Sequence, residues 1–241
     1  MGAEVIVVDN ASKDSTLNIC ETADVKIHRL SKNLGFATAA NIGAKLATRR
    51  YLVFLNPDCF LTYQCADEAI TELDRDPERI LTPLLLGGDN EIYPGVQPGY
   101  TEAKLTIEMV EGDDSFFGKG VRKRYAKNAH DQSWKWALGT CLFIAKSEFE
   151  TIGGFDESYF LYMEDVEFGN RATGALSHSN LKSLVFHIGG SSTQVSDLRR
   201  VRHLLNARLQ YAEIHYGLDF ASRLRSMNRI SRLLRMIRVP F

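Results

Sequence analysis

Short runs of β-branched and apolar residues alternate with helix-forming stretches from residue 4 onward, and this alternation most restricts the fold. Residues 4–9 (EVIVVD) form such a run, closed by the turn-formers Asn10, Ser12 and Asp14. A strand with this composition is buried on both faces. Residues 16–23 read as helix, 25–30 as a second strand, and the Ala-rich stretch 35–49 as helix. A third strand at 51–55 is stopped by Asn56-Pro57-Asp58, with a helix at 66–73 and a strand at 80–86 beyond it. Strands alternating with helices predict a mainly parallel sheet covered by helices.

The alternation breaks between Gly87 and Ser133, where Gly, Pro, Asp and Lys dominate and one helix at 102–110 is expected. The basic cluster Lys119, Arg122, Lys123 and Arg124 there reads as a solvated loop, with an anionic acceptor as the alternative. Residues 136–145 return to strand-like composition, and 147–152 form a short helix ending at Gly153-Gly154. A helix at 164–172 and a strand at 184–187 follow. From Asp197 the chain reads as two helices broken near Gly217.

Charge and cysteine usage narrow the function. The net charge is −1, so no whole-molecule field favours nucleic acid. The four cysteines, Cys20, Cys59, Cys65 and Cys141, include no C-x-x-C pair and suit reduced thiols in the cytoplasm. No apolar run is long enough to span a bilayer.

Acids and amides stand at the carboxyl ends of the early strands: Asp9-Asn10 after the first, Asn56-Pro57-Asp58 after the third. Ligands of open α/β sheets bind there, which would aim Asp9 and Asp58 at one crevice. Neither G-x-G-x-x-G nor G-x-x-x-x-G-K-[ST] occurs. Strand-end carboxylates without a phosphate-cradling loop point to a divalent cation handling phosphates; alternatively both aspartates simply cap turns. His187 ends another strand and is either a metal neighbour or a core histidine. An imidazole beside a carboxylate suits Mn²⁺ over Mg²⁺. In GFDESYFLYMEDVEF (residues 154–168), five carboxylates crowd against aromatics, a composition of neither core nor solvated face.

Five segments in this order, VIVVDNASKDS, KNLGFATAANIGA, FLNPDC, WALGTCLFIAKSEFETIGGFDESYFLYMEDVEF and HIGGSST, resemble the family 2 glycosyltransferases. The similarity is greatest to the rhamnosyltransferase-like branch of bacterial polysaccharide synthesis. It implies an α/β fold of the GT-A type, a Rossmann-like mixed sheet flanked by helices, over residues 1–196, with a helical extension at 197–241. The implied reaction is inverting transfer of a sugar, best rhamnose from dTDP-rhamnose, from a nucleotide-diphosphate donor to a lipid-linked glycan acceptor. The alternatives are a galactofuranosyl-, glucosyl- or mannosyltransferase with the same site, or a non-catalytic remnant that binds membrane or a partner enzyme.

Carried onto this chain, the resemblance implies Asp165 as catalytic base with Glu164 positioning it or the acceptor. It implies Asp9, Asn33, Gly35, Phe36 and Asn56 at the donor, and a divalent cation (Mn²⁺ or Mg²⁺) on Asp58 and His187. Gly139 and Thr140 would shape the acceptor side, and Tyr159, Phe160 and Tyr162 would wall a sugar face. Relatives begin with a further strand, a Thr-Tyr-Asn-like turn and a helix, so that unit is expected upstream of Met1 or missing, with a damaged donor site in the latter case.

The apolar stripe Phe220, Leu224, Met227, Ile230, Leu233, Leu234 and Ile237 is interleaved with Arg223, Arg225, Arg229, Arg232, Arg235 and Arg238. This basic amphipathic pattern suits an anionic membrane surface, placing a cytoplasmic enzyme on the inner face of the membrane. A helix packed on its own domain is the alternative.

Overall fold

The computed structural model describes residues 2–87, 90–111, 135–187 and 197–237. These divide into two units, residues 1–97 with 135–194 and residues 98–134 with 195–241. The basic cluster at 119–124 lies outside the described residues.

The first unit starts with the expected alternation. Strand β1 (Ile6–Asp9), helix α1 (Thr16–Glu21) and β2 (Lys26–Arg29) form a parallel pair. Helix α2 (Phe36–Leu46), β3 (Tyr51–Leu55), the two-residue β4 (Cys59–Phe60), α3 (Tyr63–Arg75) and β5 (Arg79–Gly87) follow. Thr62 caps α3 by accepting the Cys65 N–H. Two short strands, β6 (Ile92–Tyr93) and β7 (Val96–Pro98), come before helix α4 (Glu102–Glu111) of the second unit. The chain then returns through β8 (Lys135–Ala137), β9 (Cys141–Ala145), α5 (Lys146–Ile152), α6 (Glu164–Arg171) and β10 (Ser177–His187).

The larger sheet has the order β3-β9-β5-β10-β4, with β6 on β5. Among its described strands only β5 and β10 pair in parallel; β9 runs antiparallel to both β3 and β5, and β4 antiparallel to β10. The alternation predicted a mainly parallel sheet, and the larger sheet is instead mixed. The crossover β3–α3–β5 does leave β3 and β5 parallel to each other, but β9 is wedged between them. Alternation fixes the sense of consecutive strands and says nothing of a strand that returns after a long excursion.

Strand β9 shows how the sheet is buried on both faces. Leu142 and Ile144 join the cluster under α2, α5 and α6 with Phe54, Phe149, Phe155 and Phe168, whereas Cys141 and Phe143 face α3 with Cys65, Ala69 and Leu73. Its continuous apolar sequence CLFIA is therefore required.

The second unit contains α4 and the helices α7 (Asp197–Tyr216) and α8 (Leu218–Ile237), broken at Gly217 with φ 85° as the sequence predicts. Buried Arg208 of α7 pairs with Glu108 of α4 at 2.7 Å, and the Tyr100 hydroxyl donates to the same carboxylate. Phe220 and Leu224 are buried, whereas Met227 and Ile230 are exposed. The first turns of the proposed membrane stripe are thus core of this unit, because α8 packs on α4 and α7. The side chains of Leu233, Leu234 and Ile237 lie outside the described residues.

Candidate active site

The chain leaves β3 into a tight turn in which the Cys59 N–H donates to the Asn56 carbonyl at 3.1 Å. Strand β4 then pairs with the end of β10, setting His187 directly opposite Cys59. Register alone brings the imidazole to the preceding residue: His187 Nε2 lies 3.4 Å from Asp58 Oδ1. Asp58 is 6% exposed, and a carboxylate so buried is costly without a positive partner. A hard oxygen donor facing an imidazole nitrogen suits Mn²⁺ or a similar divalent ion, so these residues fit the cation that the sequence implies. The Cys59 thiol donates to the Thr140 carbonyl at 3.6 Å, and burial, then the Asp58 charge, pushes it up to about 12.

The second pair of acids is held differently. Tyr162 and Met163 both take left-handed backbone conformations, with φ 72° and 69°, immediately before α6. Each costs about 1–2 kcal/mol outside glycine. Such strain persists only where the surroundings over-determine it, and three clamps do so. Gly35 (φ 90°) presses on the loop so closely that a Cβ there would meet the Phe160 carbonyl oxygen at 2.3 Å, and the Phe36 N–H donates to that oxygen at 2.8 Å. Asn41, buried on α2, donates to the Phe155 carbonyl and to Glu157 and accepts the Phe155 N–H. Arg171 grips Glu167 through two bonds of 2.7 Å and reaches back to the carbonyls of Ile152 and Gly154.

At the start of α6, Asp165 Oδ2 accepts the Gly139 N–H at 2.9 Å and Oδ1 accepts the Val166 N–H. Glu164 is buried, and desolvation followed by the Asp165 charge pushes its carboxyl up to about 8. Burial therefore favours the protonated form of Glu164. Asp165, by contrast, is held by two backbone N–H donors, one on each carboxylate oxygen.

Gly139 and Thr140 join the two acidic turns. The Gly139 N–H holds Asp165, while the next carbonyl, Thr140, accepts the Asn56 N–H at 2.9 Å and the Cys59 thiol. On the other side Asn10, after β1, accepts the Leu34 N–H and donates to the Gly35 carbonyl. Asn33 accepts the Gly35 N–H. Strand ends far apart in sequence are thereby linked through Gly35, Phe160, Asp165 and Thr140 to Asp58.

One expectation changes at this level, and one alternative gains an observation. Tyr159 is 1% exposed, so its ring belongs to the core and forms no wall for a sugar. Phe160 is 40% exposed and Tyr162 half-buried. Asp9 is buried and its Oδ1 accepts the Ser12 N–H, the turn-capping role held open from sequence. Asn10 stands where the sequence places an amide, whereas Asn41 and the Glu167–Arg171 pair are new at this level. Asn41 was signalled by an amide among alanines on the buried face of α2, and the pair by its i,i+4 spacing.

This fold, with carboxylates at strand ends and an acidic helix start, is that of the GT-A glycosyltransferases. Solved structures share it at low identity. GalNAc-T7 with UDP, GalNAc and Mn²⁺ superposes with TM-score 0.58 and 18% identity over 88% of this chain and 41% of that one. The mannosyltransferase PcManGT from Pyrobaculum calidifontis, in complex with GDP-Man and Mn²⁺, gives 0.53 and 14% over 99% and 67%. The Glycosyl transferase family 2 profile matches residues 2–128, and the chain belongs to that family. It is 28% identical to the N-acetylglucosaminyl-diphospho-decaprenol L-rhamnosyltransferase of Mycobacterium tuberculosis over 69% of this chain and 60% of the relative. It is equally similar to the low-salt glycan biosynthesis hexosyltransferase Agl10 of Haloferax volcanii, over 70% and 53%. The chain thus spans about three fifths of the length of the first and half of the second.

Proposed function

We propose that this chain moves a sugar, rhamnose from dTDP-rhamnose as the first choice, onto a hydroxyl of a lipid-linked glycan with inversion at the anomeric carbon. The observation that carries this reading is the Asp165 carboxylate, fixed by the Gly139 N–H at 2.9 Å and joined through Thr140 to the Asp58–His187 turn. Asp165 takes the proton of the acceptor hydroxyl as that oxygen attacks. Glu164 beside it, with its protonated form favoured by burial, positions the base or the acceptor. Asp58 and His187 are the residues that would hold a divalent cation, whose chemistry when bound is to offset charge on the leaving diphosphate. The loop at Asn33, Gly35 and Phe36, with Asp9 and Asn56, lines the donor; Phe160 and Tyr162, with Gly139 and Thr140, line the acceptor.

The name of the mycobacterial relative supports the rhamnosyl donor and lipid-diphosphate acceptor, and the archaeal hexosyltransferase leaves another hexose as the second reading. No helix among the described residues is long and apolar enough to cross a membrane. Contact with a lipid-linked acceptor instead falls to the exposed Arg223, Arg225 and Arg229 with Met227 and Ile230 of α8, a basic amphipathic surface suited to anionic headgroups. The test is a donor screen that follows nucleotide diphosphate release with a polyprenyl-diphosphate-linked N-acetylglucosamine acceptor. Release from dTDP-rhamnose supports the first choice; release from another donor alone moves the assignment to that sugar; no release from any donor rejects the activity.

A further inference from the structure

We propose that Cys59 is a third donor to the cation at Asp58 and His187, making an oxygen–nitrogen–sulfur set that prefers a borderline ion such as Zn²⁺ to Mn²⁺. The inference rests on the reading of Asp58 and His187 as a cation site. Cys59 and His187 are direct cross-strand partners in the antiparallel β4–β10 ladder, so their side chains stand on one face of the sheet. One ligand atom from each of Asp58, Cys59 and His187 lies within 4.8 Å of the other two. Donors around a tetrahedral zinc ion stand about 3.5 Å apart, so binding requires the three side chains to close in by turning about their side-chain bonds.

Recruiting the sulfur leaves little unsatisfied. The thiol's present acceptor is the Thr140 carbonyl, and that oxygen also accepts the Asn56 N–H at 2.9 Å. Turning Sγ away therefore removes a weak bond from a carbonyl that keeps a strong one. On coordination the S–H bond breaks, its proton passes to solvent, and a sulfur–metal bond forms without change of oxidation state. Sulfur is a poor match for Mn²⁺ or Mg²⁺ and a good one for zinc or cobalt. With manganese the site is an Asp–His pair; with zinc it closes around three side chains.

The test uses the full chain stripped of metal, titrated with Co²⁺, Zn²⁺ and Mn²⁺ without any nucleotide. Bound Co²⁺ should show the near-ultraviolet thiolate-to-metal charge-transfer absorption, and Zn²⁺ should abolish it. Cys59→Ser should lose the band and bind Zn²⁺ about ten-fold or more weakly, with a smaller change for Mn²⁺. Cys20→Ser should keep the band. Co²⁺ binding without the band in the unaltered chain overturns the inference while leaving the Asp58–His187 pair standing. A band that survives Cys59→Ser, equal Zn²⁺ affinities, or no binding of any of the three ions also overturns it. The donor screen is read separately, so failure of the transferase reading shows there and not in the cobalt spectrum.

Discussion

The two acidic turns of the first unit are built by opposite means. The Asn56-Pro57-Asp58 turn needs no strained residue: strand pairing places His187 opposite Cys59, and backbone bonds to Asn56 fix the rest. The start of α6 follows two successive left-handed residues and carries a buried glutamate whose protonated form is favoured, kept in place by side chains from α2 and from the far end of α6. A group that binds a spherical ion tolerates a site set by sheet register. A base that must meet one proton of one hydroxyl requires closer positioning, and under the proposed function the strain at Tyr162 and Met163 falls where that positioning is needed.

Substitutions should therefore hurt the second turn far more than the first. Gly35→Ala drives a methyl into the Phe160 carbonyl at a φ of 90°. It should cost about 3 kcal/mol, seen as a lowered melting temperature, and should remove transfer. Asn41→Ala strips the buried Phe155 N–H and carbonyl of their partner and should cost about 2 kcal/mol in denaturant unfolding. Asn56→Ala retains the backbone bonds of its turn and should cost less than about 1 kcal/mol in the same assay. Equal losses for Asn41→Ala and Asn56→Ala would erase the contrast.

A smaller effect sharpens it through pH. Burial lifts the Glu164 carboxyl from its ordinary 4.5 to about 8 in the folded chain. Between those values the folded state binds a proton that the unfolded state has lost. This contribution is complete below about pH 4.5 and is lost as pH rises to about 8. Glu164→Gln should flatten that decline in unfolding midpoints measured at successive pH values; an unchanged slope would assign it to other groups. Smallest of all, replacing Arg223, Arg225 and Arg229 by Gln should weaken binding to anionic vesicles by about 1 kcal/mol per residue without moving the melting temperature.

The same contrast explains what was legible in the sequence. The early strands and helices of the first unit were readable because β-branched runs closed by turn-formers allow little else, and Gly217 marked the break between α7 and α8, whereas the short β4, β6 and β7 and the split of 136–145 into β8 and β9 were not. The position of β9 between β3 and β5 was not, since pairing after a long excursion depends on the whole sheet. Asp58, His187, Glu164 and Asp165 stood out because acids and imidazole at strand and helix ends are conspicuous. Tyr159 misled because three aromatics in four positions do not reveal which ring turns inward. Asn41 and Arg171 carry only faint local signals, an amide among alanines and an i,i+4 spacing, because each acts on a backbone more than a hundred or some twenty residues away.

The central claim, that one turn binds the donor diphosphate with a cation and the other removes the acceptor proton, is tested most directly by comparing Asp58→Asn with Asp165→Asn. Calorimetry with dTDP-rhamnose and Mn²⁺ measures donor affinity, and diphosphate release with acceptor present measures turnover. Asp165→Asn should bind the donor as the unaltered chain does while turnover falls about 10²-fold or more; Asp58→Asn should lose the Mn²⁺-dependent part of donor binding. Undiminished turnover in Asp165→Asn, or Mn²⁺-dependent donor binding that survives Asp58→Asn, would contradict the account.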